Sequence, residues 1–178
     1  MGGPHILVVG GTGMLSGLCE ALAGDGGRLS LLARRASAWR GAAADAFDCD
    51  YHDEAGFTAA LEAAVAANGP AELAVTWIHT LKIPASRRVA ERTAGRLFQV
   101  LGSAPGDPAR PEVLGLGRAL ADGLPDCRLR QVVLGFQVEA GRSRWLTDAE
   151  ISEGVLAAIR ADHVVWTVGQ TQPWSARP

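Results

Sequence analysis

The feature that most constrains the fold is a glycine-rich turn near the start of the chain, in the stretch HILVVGGTGMLSG at residues 5–17. An apolar run at residues 6–9 precedes the turn and predicts a buried strand. The segment after it predicts a helix, because its apolar residues share the spacing of one helical face: Leu15, Leu18, Cys19 and Leu22. Glycine loses more conformational freedom on folding than any other residue. Four glycines in one turn therefore indicate either a tight turn or a backbone that lies very close to a ligand.

Strand and helix patterns alternate along the rest of the chain. Asp53 opens one helix, and Thr147 with Glu150 forms a capping box before another. Residues 142–147 turn back on the end of the sixth strand as a hairpin. This alternation predicts an α/β fold, a single Rossmann-like, doubly wound, mostly parallel sheet of about seven strands with helices on both faces, as one domain over residues 1–178. The predicted strands are residues 6–9, 28–33, 47–51, 73–79, 96–102, 129–139 and 163–169, and the predicted helices are residues 15–22, 37–46, 53–68, 86–94, 112–122 and 148–159.

Composition narrows the function classes. A formal net charge of -2 with scattered basic residues gives no nucleic-acid footprint. The three cysteines stand far apart without metal-ligand spacing, which predicts reduced thiols in a cytoplasmic protein and no metal site. We expect no leader and no membrane segment, since no apolar stretch is long enough to cross a bilayer. The motifs of a nucleophile-elbow hydrolase and of a phosphate-loop nucleotidase are missing from the sequence.

The position of the glycine turn favours a phosphate cradle. In a doubly wound sheet the first strand-to-helix turn faces the ligand crevice. The helix that follows offers backbone N–H groups and a positive dipole end to an anion. Gly10-x-x-Gly13 matches the start of a dinucleotide fingerprint, although Ser16 takes the place of its last glycine. A plain structural turn is the alternative. The predicted cradle for a pyrophosphate consists of Gly10, Gly11, Thr12, Gly13, Met14 and Leu15.

The second strand ends in a pair of arginines, Arg34 and Arg35. NAD sites usually place a carboxylate at this position for the ribose hydroxyls, whereas an arginine suits a 2′-phosphate. A guanidinium can bind that phosphate with two hydrogen bonds. The pair therefore predicts NADP(H) in preference to NAD(H), and a solvated pair of loop arginines is the alternative.

These residues together resemble the short-chain dehydrogenase/reductase superfamily. The resemblance rests on VVGGTGMLSG followed by LLARR, on FDCDYHD as the third-strand segment, and on LAVTWIH as the fourth strand. It implies that Asp50 and Tyr51 lie beside the adenine. It also implies that the end of the fourth strand, Trp77, Ile78 and His79, runs under the cofactor. Relatives commonly assemble, so the resemblance further implies a homodimer or homotetramer.

The chain departs from that family at its catalytic signature, a tyrosine followed four positions later by a lysine. Tyr51 is the only tyrosine and stands in the wrong element, while Lys82 is the only lysine and has no tyrosine four residues before it. Lys82 is either a cofactor ligand or, as we favour, an exposed loop cation. The chain is also short, and the loss is predicted after the fifth strand, where the active-site helix belongs.

Two residues are candidates for catalysis. His79 ends the fourth strand on the crevice side, where it could transfer a proton near neutral pH, or simply bond to backbone. Ser103 follows the fifth strand, where the resemblance implies a serine that binds the substrate carbonyl. A loop serine before Ala-Pro-Gly is equally a turn former.

The sixth strand and its hairpin hold further candidates of less weight. Phe136, Gln137 and Glu139 occupy the region where relatives pack the nicotinamide. Glu139 would act as an acid or base only if buried, and we expect it to face water beside the hairpin turn. Trp145 on the returning arm could cover a pocket, although tryptophans are more often core or interface residues.

Two functions from different classes follow. The first is an NADP(H)-dependent oxidoreductase of the short-chain type that acts on a small carbonyl, imine or activated alkene, with the cofactor carrying the hydride. The second is a non-catalytic NADP(H) binder that senses redox state. The missing Tyr-Lys pair favours the second, and the cofactor motifs fit both.

Overall fold

The structure is a computed structural model that describes residues 3–79 and 83–178. Its strands are β1 His5–Val9, β2 Arg28–Ala33, β3 Ala44–Asp48, β4 Ala71–Trp77, β5 Thr93–Leu101, β6 Arg128–Leu134, β7 Phe136–Glu139, β8 Arg142–Trp145 and β9 Val165–Val168. Its helices are α1 Ser16–Gly24, α2 Glu54–Asn68, α3 Ile83–Glu91, α4 Val113–Arg118 and α5 Asp148–Ala161.

Within the described residues, seven strands form one parallel sheet in the order β3-β2-β1-β4-β5-β6-β9. The alternation of side chains along β1 feeds two cores. Ile6 and Val8 point into the core beneath α1 and α5, whereas Leu7 and Val9 point into the core beneath α2 and α3. The predicted doubly wound sheet with helices on both faces is therefore confirmed.

Close packing of α1 on α5 depends on Gly17. A side chain at Gly17 would lie 3.2 Å from the Cβ of Ser152 on α5. The Ser152 hydroxyl donates a hydrogen bond to the Met14 carbonyl at 2.8 Å, in the turn before α1. The glycine that the fingerprint lacks at position 16 is thus replaced, one residue later, by a glycine that lets two helices approach each other.

The prediction of a helix over residues 37–46 is wrong. This segment contains a single 3-10 turn, Ala36–Ala38, and its end lies in β3, which pairs in parallel with β2. The alanine preference for helix amounts to only about 0.5 kcal/mol per residue over typical residues, and pairing with a neighbouring strand overrides it. Since β3 ends at Asp48, Asp50 and the residues after it lie in a turn, not in the predicted strand over residues 47–51.

The predicted sixth strand over residues 129–139 is two strands. The chain leaves β6 at Gly135, where a side chain would collide with the backbone carbonyl of Gln170. The next residue, Phe136, exchanges both backbone hydrogen bonds with Gln170 at 2.9 Å, and β7 then pairs with β8 in the predicted hairpin. The break between β6 and β7 at Gly135 is a consequence of this close backbone approach, which an apolar run in the sequence does not reveal.

The connections between the later strands differ slightly from prediction. α3 ends at Glu91 and β5 begins at Thr93, whereas the sequence predicts a helix that continues to residue 94. The segment between β5 and β6 carries the six-residue α4, and α5 begins at the predicted capping box of Thr147 and Glu150. In the described parts of the chain, the helices are all too short or too polar to cross a bilayer.

A buried histidine holds the amino ends of the strands together. The His5 side chain is fully buried. One ring nitrogen, Nδ1, lies 2.7 Å from the Gly69 carbonyl, and the other, Nε2, lies 3.0 Å from the Ser30 hydroxyl. Burial lowers the pKa of His5 below its ordinary value of 6.5, more strongly than the Gly69 hydrogen bond raises it. The imidazole is therefore held neutral in the folded protein.

We expect this histidine to make stability depend on pH. A group with a lowered folded-state pKa binds its proton more readily when unfolded, so its contribution is complete above pH 6.5 and falls as the pH drops. One such group can change the unfolding free energy by at most about 1.4 kcal/mol per pH unit. Urea denaturation between pH 7.5 and 5.5 should show a smaller loss for His5→Gln than for wild type. The exposed His163→Gln control should behave as wild type, and equal pH slopes for all three proteins would contradict this role.

Candidate cofactor and substrate site

A crevice of about 430 Å³ lies at the carboxyl ends of the central strands. Strand order reverses between β1 and β4, and in open α/β sheets such a reversal is where ligands bind. The side chains and backbone that line the crevice come from the turn after β1, the end of β2, the turn after β3 and the end of β4: Val9, Gly10, Thr12, Gly13, Leu32, Ala33, Arg34, Arg35, Cys49, Asp50, Tyr51, His52, Phe57, Trp77 and His79.

The first two glycines of the turn are required by the protein itself. Gly10 has a φ of +81°, and its N–H donates to the Leu32 carbonyl at 2.9 Å. A side chain at Gly10 would lie 2.7 Å from the carbonyl oxygen of Trp77, and one at Gly11 would lie 2.8 Å from the Cys19 sulfur. Because neither residue has a side chain, the turn can pack closely against β4 and the core. The structural interpretation of the turn as tight is therefore correct for Gly10 and Gly11.

Gly13 is different, because among the residues that the structure describes, its chain neighbours aside, a side chain there would meet no atom within 4 Å. It lines the crevice directly before α1. Helix α1 begins without a capping side chain: its N-cap residue, Leu15, makes no such hydrogen bond, whereas Asp53 and Thr147 cap α2 and α5. The open glycine and the uncapped N–H groups beside it fit a bound anion.

The end of the predicted cradle contributes backbone only. The Leu15 side chain is completely buried in the core, and the half-buried Met14 side chain packs against that same core. Neither residue lines the crevice, so that only their backbone N–H groups remain as candidates for binding a ligand at the start of α1. Their side chains have a packing role that the sequence interpretation did not separate from binding.

The arginines after β2 share the crevice with an acidic residue, Asp50. Arg34 and Arg35 line it together with Asp50 and His52. The Asp50 carboxylate accepts hydrogen bonds from the backbone N–H of His52 at 2.9 Å and from its Nδ1 at 2.7 Å. The pKa of Asp50 is lowered most by the hydrogen bond from the His52 backbone. The hydrogen bond from the His52 ring and the nearby charge of Arg34 lower it further. Asp50 is therefore a negative group close to Arg34, and His52 is a crevice residue that the sequence did not predict.

Cys49 is a second residue that the sequence analysis missed. Its half-buried side chain lines the crevice. Burial, and then the negative charges of Asp50 and Asp48, raise the pKa of this thiol to about 11. Cys49 therefore stays protonated at neutral pH. Because the nucleophilic form of cysteine is the thiolate, we assign Cys49 to the lining of the crevice and not to its chemistry.

The end of β4 joins the crevice to a second cavity. The backbone N–H of His79 donates to the Tyr51 hydroxyl at 3.2 Å, which links the turn after β3 to β4. The exposed His79 ring lies edge-on to the Trp77 ring, with 4.8 Å between ring centroids. Trp77 and His79 line both spaces, so they are positioned where the two halves of an elongated ligand would meet.

The second cavity has a volume of about 440 Å³ and brings Ser103 and Ile78 together with His79. The structure thus places both catalytic candidates on one wall. Other lining residues come from the loop after β5 and from the end of the chain: Leu101, Gly102, Ala104, Pro105, Asp107, Arg110, Val113, Trp174 and Arg177. No pattern in the sequence indicates that the last residues of the chain return to the sheet.

The tail reaches this cavity through a side-chain anchor. The Gln172 amide donates to the Gly106 carbonyl at 2.8 Å, and its oxygen accepts from the Trp174 backbone N–H at 3.2 Å. This pair of bonds fixes the chain beside the loop after β5. Trp174 and Arg177 consequently form a wall of the cavity.

Four candidates of the hairpin line neither cavity, although one of them, Trp145, contacts Arg177 of the second: Phe136, Gln137, Glu139 and Trp145. Glu139 is exposed and pairs with Arg144, which also forms a two-pronged ion pair with Glu150 at 2.8 and 2.9 Å. The hydrogen bonds from Arg144 are the largest of the effects that lower the pKa of Glu150 to about 2. As expected, Glu139 faces water, and the network fastens the hairpin to the start of α5. Lys82 lies outside the described residues.

Comparisons with known proteins give structural matches only. Neither a protein-family profile nor a curated protein sequence matches this chain. A double mutant of a short-chain dehydrogenase/reductase from Serratia marcescens matches with a TM-score of 0.74 at 18% identity, over 96% of this chain and 97% of that one. A metagenomic short-chain oxidoreductase in complex with NADP matches at 0.71 and 18%, over 95% and 97%. A variant of actinorhodin polyketide ketoreductase with NADPH matches at 0.70 and 17%, over 95% and 98%. Identities this low establish the fold alone.

Proposed function

From a fold that is that of the short-chain dehydrogenase/reductases, we propose that this chain is an NADP(H)-dependent oxidoreductase of that superfamily, folded as one cofactor-binding domain. The observation that carries the proposal is the crevice at the reversal of strand order. It combines an open glycine, an uncapped helix start and two arginines. A pyrophosphate fits the first two, and an adenosine ribose with a 2′-phosphate fits the third.

The matched structures that carry NADP or NADPH support the choice of cofactor. In this chain the cofactor would be held by the N–H groups of residues 11–15, by Arg34 and Arg35 at the ribose phosphate, and by Asp50 and Tyr51 beside the adenine. Trp77, Ile78 and His79 would lie beneath its nicotinamide end. Fluorescence titration should show that NADPH binds more tightly than NADH. Equal affinity for the two would remove the preference while leaving the dinucleotide site intact.

The substrate would occupy the second cavity. A bound NADPH supplies a hydride, and a small carbonyl, imine or activated alkene takes up that hydride together with one proton. Ser103 would hold the substrate oxygen through its hydroxyl. His79 would deliver the proton, because it borders both cavities and an imidazole exchanges protons near neutral pH.

A change at His79 tests that proton role. We expect His79→Ala to lower kcat by about 100-fold or more at saturating NADPH, since positioned acid–base groups contribute about 10² to 10⁴ to rate. NADPH affinity should change little, and the exposed His163→Ala variant should retain wild-type turnover. The measurement is NADPH oxidation at 340 nm against carbonyl, imine and enone compounds. An unchanged kcat in His79→Ala would remove this residue from the reaction.

A non-catalytic NADP(H) binder is the second candidate. The specific observation in its favour is the segment between β5 and β6, whose α-helix is the short α4 and which contains neither a tyrosine nor a lysine. The two functions separate in a single pair of measurements. Tight NADPH binding without oxidation across the whole substrate screen would favour the binder, whereas turnover with any one compound would exclude it.

A further inference from the structure

The second cavity has a cationic wall that the proposed hydride chemistry does not use. Arg110 and Arg177 line it from the loop after β5 and from the tail, and Asp107 is the acidic residue among its lining groups. The remaining wall is largely apolar or aromatic, with Trp77, Trp174 and other hydrophobic side chains. The cavity therefore combines a largely apolar lining with an excess of positive charge.

Arg177 is held by two indole rings. Its guanidinium carbon lies 4.9 Å from the ring centroid of Trp174 and 5.2 Å from that of Trp145. Among the ion pairs formed by the described residues, none includes Arg177. Stacking uses the faces of a guanidinium and leaves its N–H edge available for in-plane hydrogen bonds. The side chain is thus fixed in place without its charge being neutralised.

Arg110 is only weakly engaged by the protein. Its Nε lies 3.7 Å from a carboxylate oxygen of Glu112, and both side chains are more than half exposed. An exposed pair at this distance contributes little and leaves the guanidinium able to turn. The Asp107 carboxylate is hydrogen-bonded to the protein backbone, because one of its oxygens accepts a hydrogen bond from the Ala109 N–H at 2.9 Å. The net charge of the cavity is positive, with two arginines against one carboxylate.

We propose that this cavity selects a carbonyl substrate that carries a carboxylate on an apolar, planar body. Arg177 binds the carboxylate through its N–H edge, Arg110 adds a second positive charge, and the body lies along Trp77 and Trp174. The reacting carbonyl then lies at the Ser103 and His79 end. The identity of the reacting group rests on the proposed oxidoreductase function, whereas carboxylate binding by the arginines does not.

Paired probes test the proposal in the absence of cofactor. Calorimetric titration of the apoprotein with para-carboxybenzaldehyde and with its methyl ester compares one body with and without a negative charge. We expect the acid to bind about 10-fold or more tightly than the ester, the range for charge-assisted hydrogen bonds. The ratio should fall towards 1 in Arg177→Gln and decrease partly in Arg110→Gln. Arg118→Gln, an exposed arginine on α4 outside the cavity lining, should keep the wild-type ratio.

The outcomes separate this inference from the proposed function. Equal binding of acid and ester by the wild type would overturn the inference, as would an unchanged ratio in Arg177→Gln with a wild-type melting temperature. Arg177→Lys checks the requirement for the fork, since a lysine keeps the charge but loses the two-pronged geometry. Charge selection by an apoprotein that fails to bind NADPH would refute the proposed function and leave the carboxylate site standing.

Discussion

Replacing Arg34 by alanine is expected to weaken NADPH binding by about 10- to 100-fold and to change NADH binding by no more than about 3-fold. The reason is that a 2′-phosphate differs from a 2′-hydroxyl by its charge, and a guanidinium binds that charge with paired hydrogen bonds. Arg34 lines the crevice directly after β2, close to the negative charge of Asp50. Fluorescence titration with both cofactors at one salt concentration measures the ratio.

The matched control is Arg40→Ala, a nearby arginine whose guanidinium bonds to the Ser37 and Trp39 carbonyls and does not line the crevice. It should leave both affinities unchanged. Arg35→Ala should weaken NADPH as well, since the two arginines share the same wall. Equal losses of NADPH and NADH in Arg34→Ala would show that this residue does not read the 2′-phosphate.

Hydrophobic patterns in the sequence predict the central strands of this sheet, but they do not predict its edge strand β3 or the ends of its strands. β1, β2 and β4 are apolar runs buried on both faces, and such runs identify themselves in a sequence. β3 has one neighbour only and exposes much of its surface, so its alanines carry no strand signal. The break at Gly135 arises from approach to Gln170, which lies 35 residues later. Contacts at such separation set strand ends, and local periodicity does not contain them.

The two cavities differ in the same way. The crevice at the reversal of strand order is built from short segments that each follow a strand. Strand order therefore predicts the positions of four of its lining residues: Gly10, Gly13, Arg34 and Asp50. The outer wall of the second cavity depends on the Gln172 anchor to Gly106 and on two indole rings around Arg177. Neither the Gln172 anchor nor the pair of indole rings corresponds to a recurring spacing of residues in the sequence. Most of the lining of the crevice was therefore predictable, whereas in the second cavity the positions of His79 and Ser103 were predictable and the outer wall was not.

Gly13 offers the sharpest separation of binding from folding. We expect Gly13→Val to weaken NADPH binding by about 100-fold or more, because the side chain would fill the space that a pyrophosphate needs beside the start of α1. Gly13 has no positive φ, and a Cβ there meets no atom within 4 Å in residues 3–79 and 83–178, apart from its chain neighbours. The melting temperature should therefore stay within about 2 °C of wild type, the usual result for a substitution without a buried contact.

Two other glycines make the comparison decisive. Gly24→Val, at the opposite end of α1, also adds a side chain where no atom lies within 4 Å, and it should preserve both stability and NADPH affinity. Gly10→Ala should lower the melting temperature, since Gly10 has a φ of +81° and its side chain would press on the Trp77 carbonyl. If Gly13→Val folded normally and bound NADPH as wild type does, the diphosphate could not lie at the head of α1. A different ligand would then have to bind at Arg34 and Arg35 and extend into the second cavity.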